Sequence, residues 1–258
     1  MTVRQGAVVV VTGGGNGIGA ALARRFAADK ATVVVNDLDP DAAAAVAADI
    51  DGVAIAADAV HPEHLITEVR QRFGEIDLYC ANAGVPAGGS EQAPDEDWDR
   101  AWQVNVMAHV RASRVLIGPW LERGRGHLLT TVSAAGLLTM LGAAPYSATK
   151  HAALAFAEWM TITYGDKGIR TQAICPLGVR TNMINDIGRY GEVLLEPAAI
   201  APEAVADAVA DALDDGPFLI LPHPEVAKMY ARRATDPDRW QTALRQIQST
   251  IEADPAAT

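Results

Sequence analysis

Residues 7–19 constrain this chain more than any other stretch. Residues 7–11 read Ala-Val-Val-Val-Val, the composition of a strand buried on both faces of a parallel sheet. The run closes with Thr12-Gly13-Gly14-Gly15-Asn16-Gly17-Ile18-Gly19, and Ala20, Ala21, Leu22, Ala23, Arg24, Arg25 and Phe26 follow at helical spacing. A helix is therefore expected to begin near Gly17. Glycines let a backbone approach a pyrophosphate closely, and a helix N-terminus offers it free N–H groups and a positive dipole end. A glycine-rich turn can also be purely structural, but strand, turn and helix come here in the order a dinucleotide site requires. Gly13, Asn16, Gly17, Ile18 and Gly19 are thus candidate cofactor-binding residues.

The βα alternation continues along the chain. Further strands are expected at residues 32–35, 53–57, 76–81, 126–132, 169–175 and 218–221, each a short apolar run bounded by turn formers. Helices are expected at 41–49, 61–73, 98–123, 202–215, 224–234 and 238–251, with the tail after 251 frayed. Strand two ends in Asn36-Asp37-Leu38, and Asp37 lies 18 residues past Gly19. At that separation an acidic side chain accepts hydrogen bonds from the adenosine ribose and repels a 2′-phosphate. Leu38 stands where an arginine would favour that phosphate, so the reading is NAD over NADP. Asp37 and Asp39 can alternatively cap the next helix, and Asp39 before Pro40 is expected to do so. Asp58 with Ala59 after strand three, and Asn82-Ala83-Gly84 after strand four, fall at carboxyl ends of strands, where ligands of such sheets sit. For Asp58 and Asn82, loop capping is the competing account.

Bulk properties exclude several classes. The chain has 258 residues, half of them hydrophobic, enough for one large domain. A net charge of −11 without a basic run argues against nucleic acid and anionic membrane as partners. Two cysteines, Cys80 and Cys175, each end an apolar run, which suggests neither a disulfide framework nor a thiolate metal cage and suits a reducing cytoplasm. The first six residues carry no signal-peptide pattern, and no apolar run is long enough to span a membrane. His61 and His64 have ligand-like spacing, but no other His or Cys joins them, so a solvated helix face is expected and no metal site.

The chemistry is expected around Pro145-Tyr146-Ser147-Ala148-Thr149-Lys150. On a helix, Tyr146 and Lys150 share one face with Cβ atoms about 5–6 Å apart. An ammonium beside a phenol favours the phenolate and makes the tyrosine usable as an acid or base near neutrality. Ser133 ends strand five, 13 residues before Tyr146, and either faces a substrate there or begins a turn. Asn105 interrupts a long helical stretch, and a mid-helix Asn needs a bend, a water site or a polar contact to explain it. Leu137, Leu138, Met140 and Leu141 can line an apolar pocket or pack into the core. Residues 182–201 show no clear period yet are rich in apolar side chains, as in a lid or binding loop.

Thr12-Gly13-x3-Gly17-x-Gly19, Asn82-Ala83-Gly84, Asn105, Ser133, Tyr146-x3-Lys150 and Pro176 through Thr181 together resemble the short-chain dehydrogenase/reductase family over nearly the whole chain. The resemblance implies an α/β chain of one domain, a Rossmann fold with a doubly wound, seven-stranded parallel sheet and helices on both faces, assembled as a homotetramer or homodimer. It implies Tyr146 as acid/base for the substrate oxygen, Lys150 binding the nicotinamide ribose, Ser133 bonding the carbonyl or alcohol, and Asn105 anchoring a water. It also implies nicotinamide contacts from Val179 and Thr181, although Leu177 follows Pro176 where the family has glycine. The expected activity is NAD-dependent interconversion of an apolar secondary alcohol and its ketone. A nucleotide-sensing protein without turnover would not need the Asn-Ser-Tyr-Lys set, and a methyltransferase, whose cofactor has no pyrophosphate, would leave the glycine turn and the Tyr-Lys pair unexplained.

Overall fold

Seven parallel strands run in the order β3-β2-β1-β4-β5-β6-β7 in a computed structural model that describes residues 5–185 and 188–253. The strands are β1 (Val8–Thr12), β2 (Thr32–Asp37), β3 (Val53–Ala56), β4 (Leu78–Ala81), β5 (Gly126–Thr131), β6 (Ile169–Ile174) and β7 (Leu219–Ile220). Helices α1 (Gly17–Ala28), α2 (Pro40–Asp49), α3 (Glu63–Phe73), α4 (Asp95–Trp102) and α5 (Ala108–Glu122) come from the first half of the chain. Then follow α6 (Ala135–Leu138), α7 (Ala144–Tyr164), α8 (Asn182–Asn185), α9 (Gly188–Leu194), α10 (Pro202–Ala212), α11 (Glu225–Thr235) and α12 (Pro237–Glu252). The first four residues, the tail 254–258 and residues 186–187 of the expected lid lie outside the described residues.

Side chains on a strand alternate between faces, so β1 can be all-valine only if both faces are covered. They are. Val9 and Val11 pack with Leu22 and Phe26 of α1 and Val205 and Val209 of α10. Val8 and Val10 face the other way, onto Leu65 and Val69 of α3, Leu116 and Trp120 of α5, and Met160 of α7. A third cluster, around Val132, Leu137, Leu138, Cys175 and Val226, seals the carboxyl end of the sheet beneath α11 and α12. Strand order reverses between β1, which pairs with β2, and β4, which pairs with β1 on the other side. A crevice opens above such a reversal.

Several elements depart from the sequence expectations, and one capping expectation is met. The fourth helix begins at Asp95, three residues early, and residues Gln103–Met107 form a π-helical turn between α4 and α5. The expected interruption at Asn105 is therefore a widened turn in a continuous helical rod. Within 182–201 the chain forms α8, α9 and a 3₁₀ turn at Glu196–Ala198. Asp39 caps α2, accepting from the Asp41 and Ala42 N–H groups, as its position before Pro40 suggested.

Candidate active site

A cavity of about 890 Å³ lies across the carboxyl ends of the strands, bounded at one end by the glycine turn and at the other by α12. Of the residues singled out in the sequence, Gly13, Asn16, Gly17, Ile18, Gly19, Asp37, Leu38, Asp58, Ala59, Asn82, Ala83, Gly84, Ser133, Tyr146, Lys150, Val179 and Thr181 all line it. Asn105 does not.

The glycine turn is compact because side chains would not fit. Gly13 (φ 61°) and Gly17 (φ 51°) adopt left-handed conformations that cost other residues free energy. A Cβ on Gly19 would stand 2.0 Å from the Gly13 oxygen. Asn16 precedes α1 without a side-chain cap bond, and the first turn carries no acidic residue, so its N–H groups stay available to an anion. Asn82 holds the turn in place: its Nδ2 donates to the Thr12 and Gly13 carbonyls, at 2.9 and 3.2 Å, while its Oδ1 accepts from the Thr131 hydroxyl. The side chain thus ties β1, β4 and β5 together.

Asp37 Oδ2 accepts from the Gly15 N–H at 2.9 Å and Oδ1 from the Asp39 N–H at 3.1 Å. Each oxygen keeps an acceptor position for a ribose hydroxyl. Beside it Leu38 is 75% exposed, an apolar cover at the cavity edge suited to an adenine face. Asp58 folds back onto the Val60 N–H at 2.8 Å, so here the loop-capping account holds as well as the cavity position. The exposed pair His61 and His64 gathers no further ligand, and no group of three metal-binding side chains occurs among the described residues. These residues fit a dinucleotide: an anion cradle, a ribose acceptor and an apolar base cover follow one another along one wall.

The opposite wall carries Ser133, Tyr146 and Lys150, the candidate reactive groups. Pro145 occupies the first turn of α7, and backbone replaces a side-chain cap: the Ala144 N–H donates to Gly89 O and the Tyr146 N–H to Ala87 O. Lys150 is 3% exposed and donates from Nζ to the Thr131 carbonyl at 3.0 Å, with Nζ 5.5 Å from the Tyr146 ring centroid. Burial lowers the ammonium to about 8, with Cys175 acting in the opposite direction. Burial likewise raises the Tyr146 phenol above its ordinary value, and the Ser133 hydroxyl pulls it partway back. The expected lowering of the phenol by Lys150 is thus corrected: desolvation dominates, and the opposing group is Ser133. Ser133 Oγ also accepts from the Ala135 N–H, so it begins the α6 turn while lining the cavity.

Asn105 sits behind this wall, fully buried. Its amide pairs with residue 85 like a rung of sheet, Oδ1 accepting from Val85 N–H and Nδ2 donating to Val85 O, with a further bond to Thr149 Oγ1. A Cβ on Gly84 would lie 3.3 Å from Asn105 Oδ1 and 3.5 Å from Lys150 Nζ, so the glycine lets both approach the β4 loop.

Past β6, Thr181 Cγ2 would stand 2.8 Å from a Cβ on Gly17, closing the cavity over the glycine turn. Leu138, Met140 and Leu141 line the cavity, whereas Leu137 is buried in the third core cluster and is not a pocket residue. Asn182, Met183, Leu194 and Leu195 of the lid segment also line it. The sequence reading missed Met229 of α11 and Trp240, Leu244 and Ile247 of α12, which complete the apolar end. Their signal was an apolar stripe at i, i+4 and i+7 on an otherwise polar helix.

Comparison with known proteins agrees with this architecture. The short chain dehydrogenase family model matches residues 7–190. Meso-2,3-butanediol dehydrogenase of Serratia marcescens is 36% identical over 225 residues, covering 82% of this chain and 89% of that protein. The 1-deoxy-11-beta-hydroxypentalenate dehydrogenase of Streptomyces exfoliatus is 35% identical over 233 residues, covering 84% and 83% respectively. In fold, the chain resembles a short chain dehydrogenase/reductase from Burkholderia phymatum solved with NAD, at a TM-score of 0.81 and 24% identity over 92% of this chain and 95% of that one.

Proposed function

The chain belongs to the short-chain dehydrogenase family, and on that premise we propose that it is an NAD-dependent oxidoreductase interconverting an apolar secondary alcohol and its ketone. Oxidoreductase chemistry on CH–OH groups follows from the family and from alcohol dehydrogenases among its relatives. One observation carries the finer reading: a single cavity joins the glycine cradle and Asp37 to Ser133, Tyr146 and Lys150. Asp37 supports NAD, because its carboxylate would meet a 2′-phosphate with no arginine at position 38. Leu138, Met140, Leu141, Trp240 and Leu244 support an apolar substrate.

Bound between these walls, the nicotinamide supplies hydride exchange with the alcohol carbon. The chain's own residues handle the proton. Tyr146 accepts it from the alcohol oxygen in oxidation and returns it to the carbonyl oxygen in reduction, while the Ser133 hydroxyl orients that oxygen. Lys150 holds the nicotinamide ribose, and Gly13, Asn16, Gly17, Ile18 and Gly19 hold the pyrophosphate. Asn105 fixes the β4 loop and Lys150's surroundings from behind. Residues 182–201 act as the lid. The two buried free thiols support a reducing compartment, the cytoplasm, and the exposed Trp159 and Ile162 of α7 support a homodimer or homotetramer. No helix among the described residues is long and apolar enough to cross a membrane.

Nicotinamide absorbance, followed with a panel of secondary alcohols and either NAD or NADP, tests the reading. Turnover with NAD and an apolar alcohol is expected. A preference for NADP, or no turnover with any alcohol or ketone, would refute it.

A further inference from the structure

His223 lies outside the cavity, in the segment after β7, and no step above uses it. It is nevertheless 2% exposed, and both ring nitrogens are engaged. Nδ1 lies 3.1 Å from the backbone N of Leu177, in the loop after β6, and Nε2 lies 3.2 Å from the Ala198 carbonyl, in the 3₁₀ turn that follows the lid helix α9. A backbone N–H can only donate and a carbonyl can only accept, so one neutral tautomer satisfies both partners: Nδ1 accepts and the Nε2–H donates.

The two segments that His223 joins already form one unit. Gly178 O accepts from the Ile200 N–H at 3.1 Å, and Ile200 O accepts from the Arg180 N–H at 2.9 Å, a short parallel pairing across Val179. Gly178 is packed so closely that a Cβ would stand 2.3 Å from the Leu195 oxygen. The end of the lid and the loop carrying Val179 and Thr181 are thus one wall of the cavity, and His223 pins that wall from outside. The pin acts at Leu177, which lines the cavity between Pro176 and Gly178.

We propose that His223 is a positioning residue for cofactor binding, holding the loop at Leu177 and the lid exit at Ala198 in register so that Val179 and Thr181 meet the nicotinamide. The proposal rests on the nicotinamide reading above.

Three variants separate the two bonds. Asn places an acceptor near the Nδ1 position, Gln places a donor near the Nε2 position, and Phe removes both. NAD affinity is measured by titration calorimetry, alongside KM for NAD, kcat and thermal unfolding. His223→Phe is expected to weaken NAD binding about 10- to 100-fold, the effect of losing two buried hydrogen bonds, and to raise KM for NAD similarly with kcat within about twofold. His223→Asn should recover NAD affinity to within about threefold of the parent, and His223→Gln should not, although both lower thermal stability. A Phe variant that folds and binds NAD like the parent would overturn the proposal, as would an Asn variant no better than Gln. If the parent protein itself binds no NAD, the nicotinamide reading fails and this inference with it.

Discussion

The Lys150 ammonium lies 5.5 Å from the Tyr146 ring centroid, but its hydrogen bond goes to the Thr131 carbonyl at 3.0 Å. The two residues share a helix face without touching through their polar ends. In the free protein burial raises the phenol, and the Ser133 hydroxyl, not Lys150, is the group that opposes the shift.

A pH dependence follows from the buried lysine. Its value in the folded chain, about 8, lies below its ordinary 10.5. Below pH 8 both folded and unfolded chains are protonated, and the full cost of burying the ammonium is present. Between about 8 and 10.5 the folded chain sheds its proton first, so that cost fades and stability rises with pH. The shift corresponds to roughly 3 kcal/mol. Urea unfolding of the parent and of Lys150→Met across that window checks it: the parent should gain by this order relative to the variant, and a constant difference would contradict the argument.

Tyr146→Phe should lower kcat about 10²- to 10⁴-fold, the range for losing a positioned acid/base, while NAD affinity stays within about threefold. In the parent, the Tyr146 phenol should titrate above the ordinary tyrosine range without cofactor and lower in the presence of NAD, whose oxidised ring is cationic. Ultraviolet difference titration of parent minus variant reads this directly. An unchanged titration would remove the electrostatic account of activation.

Asp37→Ser should raise KM for NAD about 10- to 100-fold, from the loss of charge-assisted bonds to the ribose, and should relieve the rejection of NADP. Steady-state kinetics with both cofactors measures the ratio. Because Asp37 Oδ2 also accepts from Gly15, a modest loss of thermal stability should accompany the change.

Trp240→Ala should open the apolar end of the cavity. Bulkier secondary alcohols should gain in kcat/KM while the parent's best substrate loses about 10- to 100-fold, with KM for NAD within about twofold. The two substrate classes moving together would show that α12 only supports the fold.

Asn105→Leu should leave the Val85 N–H and carbonyl without partners, at a cost of about 1–3 kcal/mol per buried orphan. Thermal unfolding and hydrogen exchange at residues 84–86 report it.

The parallel sheet was legible because a fully buried strand leaves a mark no other element leaves: β1 alone spends four valines on two faces. The glycine turn, Asp37 and the Tyr146–Lys150 spacing were legible for a similar reason, each being a local pattern tied to a local geometry. What stayed hidden depends on distant pairing. Trp240, Leu244 and Ile247 form a stripe that looks the same whether it covers a core or a cavity, and only the fold places it opposite Leu138. The polarity of Asn105 was visible, but its partner Val85, 20 residues away, was not. The sign of the Tyr146 shift also escaped, because spacing gives proximity to Lys150 and says nothing of how much water is excluded.

Order along the chain has its own effect on how such a molecule comes into being. The wall proposed to hold the nucleotide, from Gly13 to Thr181, is translated before α11 and α12, which contribute Met229, Trp240, Leu244 and Ile247 to the cavity. On the proposed reading, a ribosome therefore delivers the grip on the cofactor first and the roof over the alcohol last. On that reading, changes confined to those final two helices can recut the substrate chamber while the holding of a dinucleotide is left to parts already made.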